Sequence, residues 1–317
     1  MRKKFLLGLY PLIGIYAFAF YSNNVAELNS KVVTDKGKRY MRLGILSSLL
    51  ARAGTTRSTQ NIEIYGGNGE FSGDSTYSGY DTKSAGFTIG TTSQFRILKT
   101  EEIDSRWITG VSLGYINSDV DYNERSKKED IRTLGINAYL GYFRNNYFTM
   151  GYLGTGISRA EISGKSQHRE DVNFGIESGK IFHLGERQYI YPYLGLDFNG
   201  YLLSNYEIED YEYEKGAEAQ GTAGGGVTYF IDYTKYLFKF NARWSSPLNE
   251  NKKYEVIDSS GNKIKLEKFN LEGDTLSLSA MGGYYIAEDL LLSLEVLGVY
   301  GKDYRETVYG MKLSYTF

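Results

Sequence analysis

From Asn61 to Phe317 the sequence repeats one theme: a stretch that alternates apolar and polar residues with period two, a polar turn, then another such stretch. Successive side chains of a strand point to opposite faces, so a chain that keeps this pattern for most of its length folds as sheet. No Pro-rich or Ser-rich linker divides it, and the strands therefore belong to one domain. Twelve candidate strands begin near Asn61, Ser84, Trp107, Ile131, Tyr147, Val172, Tyr189, Ala217, Tyr236, Leu271, Leu290 and Tyr304. Most carry the roughly 9 to 11 residues that a tilted strand needs to cross a bilayer.

The phase of the alternation narrows the choice. In the ninth candidate Tyr236, Phe238, Phe240, Ala242 and Trp244 share one face, and Lys239, Asn241 and Arg243 share the other. Leu290, Leu292, Leu294 and Val296 oppose Ser293 and Glu295 in the eleventh; Leu276, Leu278, Ala280 and Tyr284 oppose Thr275, Ser277 and Ser279 in the tenth. A soluble sandwich can alternate in this way too. Yet the glycines of the eighth, Gly221 and Gly224 to Gly226, would pack poorly in a small soluble core and suit a wide barrel with a polar interior. With 30 Tyr and 37 Gly against 3 Pro, the composition fits long strands, tight turns and aromatic rings at water–lipid boundaries. A negative mean hydropathy excludes a bundle of apolar transmembrane helices. The net charge of -2, with Lys and Arg spread along the chain, gives no groove for nucleic acid. The absence of Cys rules out a disulfide framework and any thiolate metal site.

Turn lengths are independent of the alternation. Connections after even-numbered candidates are short, as at Arg144-Asn145-Asn146, Asp232 to Lys235 and Ala287-Glu288-Asp289; most after odd-numbered ones are long, as at Ser118–Asp130, Ser204–Gly216 and Leu248–Asn270. Short periplasmic turns alternating with long external loops is the outer-membrane pattern, although the short connection at Gly301 departs from it. An even strand count then puts both barrel ends in the periplasm. At the other end of the chain, Arg2, Lys3 and Lys4 precede an apolar run from Phe5 to Phe20 that closes on Ala17-Phe18-Ala19, the pattern of a cleavable secretion signal. The alternative, an uncleaved helical anchor, meets a run shorter than the roughly 20 residues needed to span, interrupted by Pro11 and Gly14.

The last residues, VYGMKLSYTF, put Tyr309, Met311, Leu313, Tyr315 and Phe317 on one face and Gly310, Lys312, Ser314 and Thr316 on the other. A terminal Phe closing such a strand, with a small residue at Gly310 upstream, resembles the signal read by the bacterial outer-membrane assembly machinery. The assembly residues implied are Gly310, Leu313, Tyr315 and Phe317. The first strand, NIEIYGGNGEFSGD with Gly66 and Gly67, and the repeated Gly-aromatic pattern at Gly110, Gly114, Tyr115, Gly135, Tyr139 and Gly141 make the stretch from Asn61 to Phe317 similar to the translocator domain of an autotransporter, the type V secretion family.

That resemblance implies a helix leading into the pore. Residues Lys38 to Ala53 can supply it, with Met41, Ile45, Leu46, Leu49, Leu50 and Ala53 at helical spacing and Gly54 as a stop. Its basic residues Lys38, Arg39, Arg42 and Arg52 can meet inward-facing acids. The lumen-lining candidates are Glu63, Arg96, Glu177, Asp197, Glu218, Lys239, Arg243, Glu295 and Lys312. The alternative is a periplasmic helix outside the pore with a solvated basic face. About forty residues lie between the signal and the first strand, too few for a conventional secreted domain, so an orphan translocator, a split gene product and a barrel without cargo all stay open.

Catalysis has little to stand on. Of the 2 His, His168 lies in the charged segment SGKSQHRED and His183 beside the turn Leu184-Gly185-Glu186, and isolated His at this spacing make no metal site. The acids Glu207, Glu209, Asp210, Glu212 and Glu214 read as a solvated loop. The expectation is an all-β transmembrane barrel of about 12 strands in three parts: a signal at 1–20, a short linker and pore helix at 21–60, and the barrel at 61–317. It would be a monomer in the outer membrane, meeting lipid, the assembly machinery and an attached or separate passenger, with no enzyme activity, cofactor or nucleic acid. A passenger-less channel, a surface adhesin and, more remotely, a barrel hydrolase are the other classes.

Overall fold

The computed structural model describes residues 26, 29–36, 38–40, 42, 57–72, 79–99, 104–122, 128–162, 165–203, 206–208, 211–213, 216–248, 253–257, 263–267, 273–302 and 304–317. Alternation fixes the faces of the strands, and the tight turns between them force antiparallel neighbours. The strands are β1 (Arg57–Phe71), β2 (Tyr80–Lys99), β3 (Asp104–Tyr122), β4 (Lys128–Arg144), β5 (Tyr147–Ile162), β6 (Lys165–Lys180, continued by Phe182–Gly185), β7 (Gln188–Leu203), β8 (Gly216–Asp232), β9 (Tyr236–Pro247), β10 (Thr275–Ala287), β11 (Leu290–Tyr300) and β12 (Tyr304–Thr316). The two pieces of β6 both pair with β7 and are broken only at Ile181, so the 13 hydrogen-bonded segments amount to twelve strands. Each strand pairs antiparallel with its neighbours in sequence, and β1 pairs with β12 from Thr59↔Thr316 to Phe71↔Tyr304, which closes the barrel.

One face of the wall carries apolar side chains to the outside. Leu194 is 74% and Leu294 63% exposed, and Ile62, Ile64, Leu153, Ile157, Phe174 and Phe240 continue the band around the barrel. A contiguous apolar girdle of this kind is stable only against lipid. No helix among the described residues is long and apolar enough to cross a membrane; the crossing is made by strands.

The strands outgrow that band. β2 has 20 residues and β3 has 19, well beyond the expected membrane-spanning length, whereas β11 has 11. Much of the expected loop from Ser118 to Asp130 is therefore strand. Beyond the band the outward positions turn hydrophilic while Ser118, Val120, Glu129 and Ile131 stay buried on the inside, so the pairing continues although the apolar signal has ended. The tenth strand starts at Thr275, not at Leu271. The expected loops 204–216 and 248–270 contain small hairpins, Tyr206–Ile208 with Tyr211–Tyr213 and Lys253–Ile257 with Lys263–Glu267. The opposite barrel end has two-residue turns such as 145–146, where Asn145 takes a φ of 53°, a conformation Asn tolerates better than most side chains.

Glycine has a packing role inside the wall. The Tyr139 ring lies over Gly110 of the adjacent strand, where a Cβ would come within 2.4 Å of it, and the Tyr139 hydroxyl and the Thr92 hydroxyl share a 2.8 Å hydrogen bond. Tyr193 covers Gly226 in the same way.

Candidate functional site: the helix in the lumen

Residues 26, 29–36, 38–40 and 42 are helical and form α1, which stands inside the barrel. Its side chains reach the wall in several directions. Val33 is 1% exposed and sits against Gly114 and Gly135, a cross-strand pair where a Cβ would come within 2.8 and 2.9 Å of it. The Tyr40 ring rests over Gly90, and Ser30 faces Gly156. Absent side chains on β2 to β5 thus leave the space that the helix fills, and buried contact on this side replaces the water that the lumen would hold.

Charge fixes the helix in register. Lys36 pairs with Glu63 of β1, and the Tyr40 hydroxyl donates to the other oxygen of that carboxylate at 3.2 Å. Lys38 Nζ lies 3.0 Å from Asp197 of β7, where the Tyr152 hydroxyl also donates at 2.7 Å and Arg243 of β9 makes an ion pair. Arg39 donates to Glu295 of β11 at 3.0 Å, and Lys239 approaches the same carboxylate at 3.3 Å. Arg42 forks onto Glu177 of β6, with Nε to Oε1 at 2.9 Å, and lies over the Tyr193 ring. Buried ion pairs of this kind add little net stability over an apolar filling, but each specifies one position of the helix against the wall.

Several of the sequence-derived residues therefore meet on the helix: Glu63, Glu177, Asp197, Lys239, Arg243 and Glu295 all face into this network. Lys312 is buried beside them, with its Nζ 5.7 Å from the Tyr40 ring centroid. Gly310 lies under the Lys36–Glu63 pair, where a Cβ would stand 2.7 Å from Glu63 Oε1. Leu313, Tyr315 and Phe317 are on the outside of the barrel. Arg52 lies outside the described residues; Arg96 and Glu218 sit on β2 and β8, but their side chains are outside those described. The helix starts earlier than the expected Lys38: the described helical positions run from 26 to 42, and the rest of the expected stretch to Ala53 lies outside the described residues. The sequence pattern alone does not mark Lys36, Tyr40, Val33 or the glycines Gly114 and Gly135 as pore residues. The cross-strand glycine row was the signal for them, since it is readable once strand register is known. His168 is exposed on β6 opposite Arg159, and His183 is exposed with its ring 4.8 Å from Tyr189.

The direction of α1 completes the geometry. Arg42 reaches Glu177 and packs near Phe148, Ile181 and Tyr191, close to the barrel end that holds residues 57 and 317 and the two-residue turns. Asn29 accepts a 2.9 Å hydrogen bond from Ser118, on the half of β3 toward the long loops. The chain therefore descends from the loop end to the end where β1 begins.

The sequence matches the autotransporter beta-domain over residues 62–297. The chain belongs to the autotransporter β-domain family. As an autotransporter barrel it resides in the outer membrane, and its family role is transport. The fold is similar to the translocator domain of autotransporter NalP from Neisseria meningitidis, with a TM-score of 0.63 at 13% identity over 93% of this chain and 98% of that one. It is also similar to the beta domain of the Bordetella autotransporter BrkA, with a TM-score of 0.58 at 15% identity over 82% of this autotransporter chain and 99% of that one. The uncharacterised Escherichia coli K12 protein YaiT is 27% identical over 212 residues, 60% of this chain, which spans only 21% of that protein's length.

Proposed function

We propose that this autotransporter barrel carries a polypeptide joined ahead of α1 to the cell surface and then holds its end in the lumen through α1. The observation that carries this reading is the direction of the helix: its residue-29 end lies toward the long loops and its residue-42 end toward the termini and tight turns. The long loops are the external ones in this reading, so a segment upstream of residue 29 is aimed outward. In this reading 1–20 is a secretion signal, the expected 21–60 segment is linker and pore helix only up to the start of β1 at Arg57, and β12 is the strand that the assembly machinery recognises. The barrel works as a conduit, with no catalytic step and no cofactor. The test is an epitope inserted after Asn24, which should be accessible to antibody on intact cells, with a second epitope at Asn145 hidden until the outer membrane is permeabilised. An Asn24 epitope hidden on intact cells, while one in the 248–270 loop is exposed, overturns translocation and favours the channel or adhesin class.

A further inference from the structure

The inner wall carries a row of amide and hydroxyl side chains that the ion pairs do not use. Following cross-strand partners from β1 to β8, the inward positions are Asn61, Gly90, Ser112, Asn137, Gly154, Asn173, Asn199 and Gln220. Strands in a closed barrel are tilted, so a line across them climbs along the axis. Asn61 is the fifth residue of β1 from the terminus end, and Gln220 is the fifth residue of β8 from the loop end, so the row rises through most of the lumen.

Two members already bind α1. Asn137 Nδ2 donates to the main-chain carbonyl of Val33 at 3.4 Å, and Asn173 Nδ2 donates to the Ser30 hydroxyl at 3.1 Å. Two others are unpaired among the described residues. Asn199 is 8% exposed and Ser112 2% exposed, yet both amide atoms of Asn199 and the Ser112 hydroxyl find no hydrogen-bond partner among the described residues. A buried amide left unpaired is costly, so such a group in a native wall is open to a partner, either a water or a peptide group. Asn199 lines a cavity of about 160 Å³ beside α1, where Asn173, Thr222 and Ser245 are its neutral neighbours and Asp197, Arg243 and Glu306 the charged groups of the wall.

We propose that this row is a sequence-independent binding track for the peptide groups of a polypeptide passing through the lumen; the proposal rests on the translocation reading above. A carboxamide holds the same acceptor and donor as a peptide group, so it serves either N–H or C=O of an extended chain whatever side chains that chain bears. Being neutral, it does not trap cargo of either charge, unlike the carboxylates that lock Lys36, Lys38, Arg39 and Arg42 in place. Asn137 and Asn173 are two strands apart, about 10 Å, which an extended chain covers with roughly three residues, so successive contacts can be exchanged in short steps. The Asn137 bond to the Val33 carbonyl is the resting form of such a contact.

The test uses the full chain with either of two unstructured epitopes after Asn24, one acidic and one basic, and follows the rate at which each reaches the surface. In Asn173→Leu/Asn199→Leu that rate should fall about fivefold for both epitopes, the effect of roughly one lost hydrogen bond in the slowest step, with barrel amount and heat-modified mobility unchanged. Asn173→Gln/Asn199→Gln should keep the rate. If the double Leu variant does not assemble, Asn199→Ala, which loses no hydrogen bond to the described residues, gives the same reading with a smaller fall. Wild-type rates in the Leu or Ala variants, or a fall for one epitope only, overturn the track and leave Asn199 as a water site. A wild-type chain that never exposes either epitope overturns translocation itself, and the track with it.

Discussion

Single side chains in the lumen act by pairing charge where the wall excludes water. Glu177 receives the fork of Arg42 and lies 4.0 Å from Arg243, and it is 4% exposed. Removing one member of a buried pair leaves the other uncompensated, which costs more than the pair contributes. Glu177→Gln should therefore lower the stability of the barrel in lipid vesicles by about 3 to 5 kcal/mol, read as the urea midpoint of unfolding. Arg42→Gln added to Glu177→Gln should recover most of that loss. A single variant with a wild-type midpoint would mean that water or another carboxylate already compensates Arg42. Residues such as Glu63, Glu177, Asp197 and Glu295 could be picked out of the sequence because acids on the inward phase of a membrane strand are costly and need a reason. Their partners on α1 could be named only as a class, since which base meets which acid depends on the rotation of the helix.

At the scale of elements, the strands are legible in the sequence, and the helix is legible in its presence but not in its bounds. Alternation with apolar outward positions, as at Tyr236 to Trp244, marks where a strand crosses lipid; it stops where β2 and β3 rise above the membrane, so the pattern under-states their length. The helix shows why an apolar stripe is a poor guide inside a polar lumen. Residues 29–36, NSKVVTDK, hold β-branched Val32, Val33 and Thr34 and only one small apolar patch, a weak helix former in isolation. Its stability comes from the wall, through Val33 in the glycine pair and the bases on their acids. Filling that space should expel it. Gly135→Leu should raise single-channel conductance in planar bilayers toward the level of a variant lacking residues 26–42, while β-sheet content by circular dichroism stays the same. Equal conductance in wild type, Gly135→Leu and the deletion would show that α1 does not block the ion path.

For the whole molecule, closure is the decisive property, because a barrel has no edge left to pair with other chains. The last seam bonds join Ser58 and Phe317, with N to O distances of 3.0 and 2.9 Å, and the Phe317 ring stacks on Tyr315 at 5.9 Å. Those two bonds contribute about 1 kcal/mol each, small beside the ladder from Thr59 to Phe71 that remains. Stability and recognition can therefore be separated at this residue. Deleting Phe317 should abolish the folded barrel in the outer membrane of cells, yet the same protein refolded into vesicles should lose only about 2 kcal/mol. Leu313→Asp/Tyr315→Asp should fail in both settings, because those side chains lie on the lipid face, where a charge is costly at any time. Normal outer-membrane levels of the Phe317 deletion, scored by heat-modifiable mobility, would remove the assembly role from the terminal residue. A deletion that also fails to refold in vesicles would assign Phe317 to closing the seam instead.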